Sequence, residues 1–405
     1  MTTLQTYSAR WIFPVDQPPI EHGTITILGD RISAVAQRGT RTPDVDLGNV
    51  AILPGFVNTH THLDLSGARG LVAPVAHASG SSVPDFTQWL RCVIAFRRSR
   101  TPEQVQTDIA AAIAECLRFG TTLIGDIASG GVSWELLTNA GCRSVVFHET
   151  LGLSEDRARL AMDQARTWLA HRSFSDRCIA GVSPHAPYTV RSTQYSVLGT
   201  QHSSLRIATH LAETLDEVEL LRDRRGPFVD FLREMNVYDP GGLVSDPLEV
   251  VRTLPSGIFV HCNYLDPATP FLPTQTVVVC PRTHAAFGHS RHPFPKLNVR
   301  VALGTDSLAS NPDLDILAEV RFLRQYYPEV EPAALLRMLT LNGAESLGFG
   351  GVTGSLTPGK SADLAVLPLP AGDMSDPHDS VLLSGLAVGR VMFRGVWRDK
   401  PERVG

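Results

Sequence analysis

The sequence predicts an α/β protein: a parallel (β/α)₈ TIM barrel carrying a small β-sandwich domain formed from both termini. Three observations predict it. The chain has 405 residues, a length suited to one large α/β barrel with an appendage. Between residues 51 and 345, apolar β-branched runs alternate with helical stretches, the pattern of a parallel sheet covered by helices. The two flanks lack that alternation and read as short strands and turns.

From the N-terminus, residues 1–53 contain Gly23-Thr-Ile-Thr-Ile-Leu-Gly29, a strand bounded by glycines. Eight buried-type strands follow at Ala51–Val57, Thr121–Ile127, Arg143–His148, Cys178–Val182, Leu205–Thr209, Gly257–Val260, Thr276–Val279 and Val299–Leu303. Thr101–Phe119 is the clearest helix. Thr101 can cap its start, Pro102 suits the first helical position, and Gln104 completes a capping box. Val105, Ile109, Ile113 and Leu117 repeat every four residues, and Gly120 stands where a C-terminal glycine belongs. Residues 351–405 carry Asp363-Leu-Ala-Val-Leu367 and Gly389-Arg-Val-Met-Phe-Arg-Gly395, again strand-like. Two β-rich flanks around one barrel pair most simply with each other. The expected division is therefore 1–53 with 351–405 as the β domain, and 54–350 as the barrel.

Composition removes several function classes. Hydrophobic residues are 43% and charged residues 19%, enough to bury a large core and too apolar for disorder. The formal net charge of −5 argues against a nucleic-acid or polybasic membrane-surface partner. No apolar run reaches membrane-spanning length, and Met1–Ile20 lacks the apolar core of a signal peptide. The six cysteines show no CxxC spacing, so a reduced, cytoplasmic setting is expected. A homo-oligomer is compatible with all of this.

In a (β/α)₈ barrel the working residues sit at the C-terminal ends of the strands. His60-Thr-His62 follows the first strand, Ser183-Pro-His185 the fourth, His210-Leu-Ala-Glu213 the fifth, His261 the sixth, and Gly304-Thr-Asp306 the eighth. Any one such histidine is more often a hydrogen-bonded core residue than a ligand. Histidines from four strand ends, with one aspartate, converging on one barrel mouth read differently. Residues two apart on an extended segment point the same way, so His60 and His62 can share one ion. His210 and Asp306 supply the remaining ligands, with a water in the open position of a catalytic site. A divalent ion lowers the pKa of bound water from 15.7 to about 7, and Asp306 can accept its proton. His261 is placed to hydrogen-bond that water, and Glu213 to act as general acid and base on the attacked ring.

These motifs resemble the amidohydrolase superfamily, in its cytosine-deaminase-like and chlorohydrolase-like branch. The resemblance lies in Pro54-Gly-Phe-Val-Asn-Thr-His60-Thr-His62, Ser183-Pro-His185-Ala-Pro-Tyr-Thr189, His210-Leu-Ala-Glu213-Thr214, Gly304-Thr-Asp306-Ser-Leu-Ala-Ser-Asn311 and Pro358-Gly-Lys360-Ser-Ala-Asp363. It implies one divalent metal ion per subunit, zinc first and iron as the alternative, bound by His60, His62, His210 and Asp306. It further implies catalytic roles for Glu213, His261 and Asp306, and substrate contact by His185 and Glu213. Trp89 falls where branch members often place an aromatic lid residue. Two-metal members bridge their ions with a carboxylated lysine at the fourth strand; the only lysines here are Lys296, Lys360 and Lys400, so a single ion is expected.

The resemblance implies a hydrolytic deaminase acting on a small heteroaromatic amine of the 6-aminopurine nucleoside type. The subgroup it favours deaminates 6-amino-6-deoxyfutalosine, in menaquinone biosynthesis. Adenosine, S-adenosylhomocysteine and 8-oxoguanine are alternative substrates; a chlorotriazine-type chlorohydrolase is the alternative reaction, and a scaffold without catalysis is a third reading. One loop departs from the branch: many members carry Cys-Pro-x-Ser-Asn after the seventh strand, where this chain has Cys280-Pro-Arg282-Thr-His284 and then His289. Those three side chains could contact substrate or simply satisfy one another.

Overall fold

The computed structural model describes residues 4–71, 85–172, 175–200, 205–372, 374 and 376–398. Eight parallel strands run in consecutive order: β1 (Phe56–Thr61), β2 (Thr121–Ser129), β3 (Arg143–Thr150), β4 (Cys178–Pro184), β5 (Arg206–Leu211), β6 (Ile258–His261), β7 (Thr276–Val279) and β8 (Arg300–Leu303). The ring closes beyond β8, where Thr61 bridges to Asp306 and the Asp306 amide donates to the His60 carbonyl at 3.1 Å. Every strand contributes to one buried cluster, including Val57, Leu123, Phe147, Ile179, Ala208, Val260, Val278 and Ala302. The barrel is therefore packed with side chains, and chemistry is confined to its mouth.

The first strand differs from the sequence reading. Ala51–Val57 is not one strand: Val50–Pro54 lies antiparallel to Leu364–Pro368 in an outer sheet, and β1 starts at Phe56. Gly55 separates them. Its amide donates to the Asp363 carbonyl at 2.8 Å, and a Cβ there would stand 2.1 Å from Thr122 Oγ1. An apolar run looks continuous even where the chain passes between sheets, because both halves are buried. Strands β2 to β5 also run past their expected ends, into polar residues such as Glu149 and Thr150.

Both termini build the remaining sheets, as expected. Leu4–Ser8, Thr24–Leu28, Arg31–Ala36 and Val45–Asp46 form a four-stranded sheet. Val50–Pro54, Trp11–Ile12 and Ile20–Glu21 join Leu364–Pro368, Arg390–Phe393 and Val396–Arg398 in a six-stranded one. Tyr7, Ile12, Ile25, Ile27, Ile52, Leu364 and Met392 share a buried cluster between them. The helix Pro102–Arg118 carries its capping box, Gln104 N donating to Thr101 Oγ1 and Thr101 N to Gln104 Oε1. Ile109, Ile113 and Cys116 are its buried face. No helix among the described residues is long and apolar enough to cross a membrane.

Candidate metal and catalytic site

His60 and His62 leave the end of β1 on the same side, their ring centroids 4.9 Å apart. Asp126 on β2 brackets His62 by accepting from Thr61 Oγ1 at 3.1 Å and Leu63 N at 2.9 Å. His62 Nε2 lies 3.1 Å from His210 Nε2 at the end of β5. Asp306 Oδ1 lies 3.5 Å from His60 Nε2 and 3.8 Å from His62 Nε2. The other oxygen of Asp306 accepts from Ser310 Oγ at 2.9 Å. His210 Nδ1 donates to the His185 carbonyl at 2.8 Å, which leaves Nε2 with its lone pair turned to the cluster.

These distances fit a divalent cation. Ligands about 2.0–2.2 Å from a tetrahedral ion stand about 3.4 Å apart, near the 3.1, 3.5 and 3.8 Å found between neighbouring donors. His60 Nε2 is buried without a hydrogen-bond partner among the described residues, as a nitrogen reserved for a metal is. His60, His62 and Asp306 form one triad of converging donors. His261 also comes within reach, grouping with His60 and His210 and with Glu213 and Asp306.

The two carboxylates of the site are driven apart. Burial pushes the Glu213 carboxyl well above its usual range, and the charges of Asp306 and Glu217 push the same way. Burial also opposes ionisation of Asp306, but the nearby imidazoles of His60, His261 and His62 outweigh it and hold the group well below the usual range. Burial, reinforced by His185 and His60, lowers His210 to about 3; burial likewise lowers His62 and His261. Burial thus favours the neutral form of His62, His210 and His261, while one carboxyl is pushed toward its acid form and the other toward its anion. Such a split assigns acid and base roles.

Glu213 Oε1 is 3.4 Å from His261 Nε2, and both backbones are constrained. His261 has φ of 71°, its carbonyl accepting from His292 Nε2 at 2.7 Å. The turn before Glu213 is held by Glu217, whose carboxyl accepts from Ala212 N at 3.0 Å and Glu213 N at 2.9 Å. Sequence reasoning missed Glu217, although Thr214-Leu-Asp-Glu217 has the spacing of a capping box.

A cavity of about 140 Å³ opens over these groups. His62, His210, Glu213, His261 and Asp306 line it, together with His185, Trp89, Phe86, Tyr188 and Phe231. All seven site residues expected from the sequence apart from His60 therefore face one cavity, and His60 lies directly behind it. His185 Nδ1 pairs with Thr189 Oγ1 at 2.8 Å; that hydroxyl donates to the Ala186 carbonyl, so the imidazole keeps Nε2 as an acceptor. Trp89 packs on Phe86 and Phe287 and donates from Nε1 to the Ala309 carbonyl at 3.1 Å. Arg97 and Glu149 also line the cavity, and no motif had singled them out.

The side chains of the unusual loop are held by protein partners away from the cavity. Arg282 pairs with Glu319 and Asp313, His284 Nε2 meets the Ser290 carbonyl at 2.6 Å, and His289 Nδ1 meets Tyr264 Oη at 2.9 Å. None of the three lines the cavity.

Comparison with known proteins agrees with this geometry. The chain is 28% identical over 398 residues to the 5-methylthioadenosine/S-adenosylhomocysteine deaminase of Moorella thermoacetica, covering 91% of this chain and 85% of that one. It is 26% identical over 363 residues to the aminodeoxyfutalosine deaminase of Nitratiruptor, covering 86% of each. The fold matches an adenosine deaminase from Xanthomonas campestris, solved with bound zinc, at a TM-score of 0.77 and 23% identity, over 97% of this chain and 92% of that one. The Amidohydrolase family model matches residues 51–398, from the strand before β1 to the last strand of the outer sheet, so this chain belongs to the amidohydrolase family.

Proposed function

We propose that this protein is a metal-dependent hydrolytic deaminase of 6-aminopurine nucleosides, replacing the ring amino group by oxygen and releasing ammonia. The observation that carries the reading is the pairing of the His60, His62, His210 and Asp306 donors with the buried Glu213 carboxyl, 3.4 Å from His261, beside one cavity. His60, His62, His210 and Asp306 hold one divalent ion, zinc in our reading with iron as the alternative. When bound, the ion supplies an acidified water as nucleophile.

The chain's own groups do the rest. Asp306 takes the proton of the attacking water. Glu213 gives its proton to the ring nitrogen beside the attacked carbon, then takes the hydroxyl proton released as C=O forms and passes it to the leaving amine; the proton held by Asp306 returns Glu213 to its acid form. His261, neutral and 3.4 Å from Glu213, hydrogen-bonds the incoming oxygen and keeps the acid in place. His185 contacts the substrate through its free Nε2, while Trp89, Phe86 and Tyr188 give the purine an apolar wall.

The finer substrate is a choice among 6-amino-6-deoxyfutalosine, which the sequence motifs favour, 5′-methylthioadenosine, S-adenosylhomocysteine and adenosine. The test is ammonia release from each, followed by the ultraviolet change of adenine to hypoxanthine, with chloride release from a chlorotriazine run in parallel. Chloride without ammonia overturns the proposal.

A further inference from the structure

We propose that Arg97, clasped by Glu149 and Asp64, makes this pocket select nucleosides that are uncharged beyond the sugar. The proposal rests on the deaminase reading above and sorts its candidate substrates by charge.

The helix Phe86–Ser99 turns Phe86, Trp89, Leu90, Val93, Ile94 and Arg97 toward the cavity, the spacing of a single helix face. An apolar stripe thus ends in a guanidinium. Arg97 Nη1 lies 3.1 Å from Glu149 Oε2, and its Nη2 lies 3.4 Å from Asp64 Oδ2. Glu149 stands at the end of β3 and Asp64 in the turn after β1. Their side chains are 1% and 6% exposed, while that of Arg97 is 30% exposed. The cation is therefore the accessible member of the cluster, and its charge is already matched from behind.

Among the described residues lining the cavity, Arg97 is the only lysine or arginine. A substrate tail ending in a carboxylate meets a guanidinium whose charge is spent on Glu149, with the Asp64 carboxyl behind it. Like charge brought into a poorly solvated cavity is costly. A hydroxyl fares differently: it can accept from the guanidinium and donate to a carboxylate oxygen in the same wall. The wall therefore suits adenosine and 5′-methylthioadenosine. It disfavours 6-amino-6-deoxyfutalosine most, whose tail ends in a lone carboxylate, and S-adenosylhomocysteine less, since its carboxylate is accompanied by an α-ammonium that Glu149 can pair with.

The experiment measures kcat/KM for ammonia release from these four nucleosides with the metal-loaded protein. Calorimetry then gives Kd for the same four in the Glu213→Gln background. The uncharged pair is expected to lead by about tenfold or more in both measurements. Glu149→Gln frees the Arg97 charge and is expected to shrink that lead by about tenfold. Asp64→Asn shifts it the same way, by less, and serves if the first variant does not fold. Equal or better use of the carboxylate nucleosides by the wild type overturns the proposal, as does a preference that neither variant moves. Binding and turnover of none of the four overturns the deaminase reading, and the selectivity argument with it.

Discussion

Glu213 and Asp306 carry the same functional group and are pushed in opposite directions, one by burial near like charge and the other by surrounding imidazoles. The difference defines their roles and can be tested one residue at a time. Glu213→Gln is expected to retain one equivalent of metal while kcat/KM falls by about 10²–10⁴-fold, the usual size of a lost acid–base step. Metal analysis beside an ammonia assay checks both halves; near-normal turnover in this variant removes Glu213 from the chemistry. Asp306→Ala is expected to lose metal and turnover together, because it removes a ligand and the base in one change.

The elements around the site act as clamps. The turn from β5 places Ala212 at φ 48°, and the Glu217 side chain holds it from the helix Leu215–Asp223 that Thr214 caps. Burial raises the Glu217 carboxyl to about 7, above its unfolded value. Between those two values the folded state binds the proton that the unfolded state has released, so this group's stabilising contribution is complete below about 4.5 and fades as pH rises to about 7. Relative to wild type, Glu217→Gln should therefore gain stability with rising pH across that window, by up to about 3 kcal/mol. Thermal melts of the pair from pH 4.5 to 8 measure it, and parallel curves refute the titration. On the outer ring, Thr101→Ala is expected to cost about 1 kcal/mol, since it unmakes a capping box that the structure contains.

Across the whole molecule, barrel and outer sheet are joined by a buried ion pair. Arg143 at the start of β3 bonds Asp363, and its second amino group donates to Ser361 Oγ at 3.0 Å. Asp363 also accepts from the Arg394 amide at 2.9 Å, so one carboxylate ties β3 to two strands of the C-terminal sheet. The side chains are 3% and 0% exposed. Breaking such a pair strands a charge without solvent, and Asp363→Ala is expected to cost about 3–5 kcal/mol. Denaturant unfolding gives the value; a loss below about 1 kcal/mol means barrel and outer sheet are not joined here.

The barrel, the capped helix and the histidines that meet at the barrel mouth could be read from the chain because each depends on local order. Strand periodicity, a capping spacing and an HxH pair are properties of neighbours in sequence. The ends of the strands were harder: β3 continues past His148 through Glu149 and Thr150, which keep pairing with β4, and Glu149 meets Arg97 from a distant helix, which no local pattern records. Asp126 and the Arg97–Glu149–Asp64 cluster escaped notice for the same reason: each is a charged group whose burial is tolerated only by partners brought in by the fold, Thr61 for Asp126, and Asp64 and Glu149 for Arg97. Glu217 was missed differently, since its partners Ala212, Glu213 and Thr214 are local. The residues that meet at the mouth were thus written in short motifs, whereas the charge of the pocket wall emerged from which strand ends the closed barrel sets side by side.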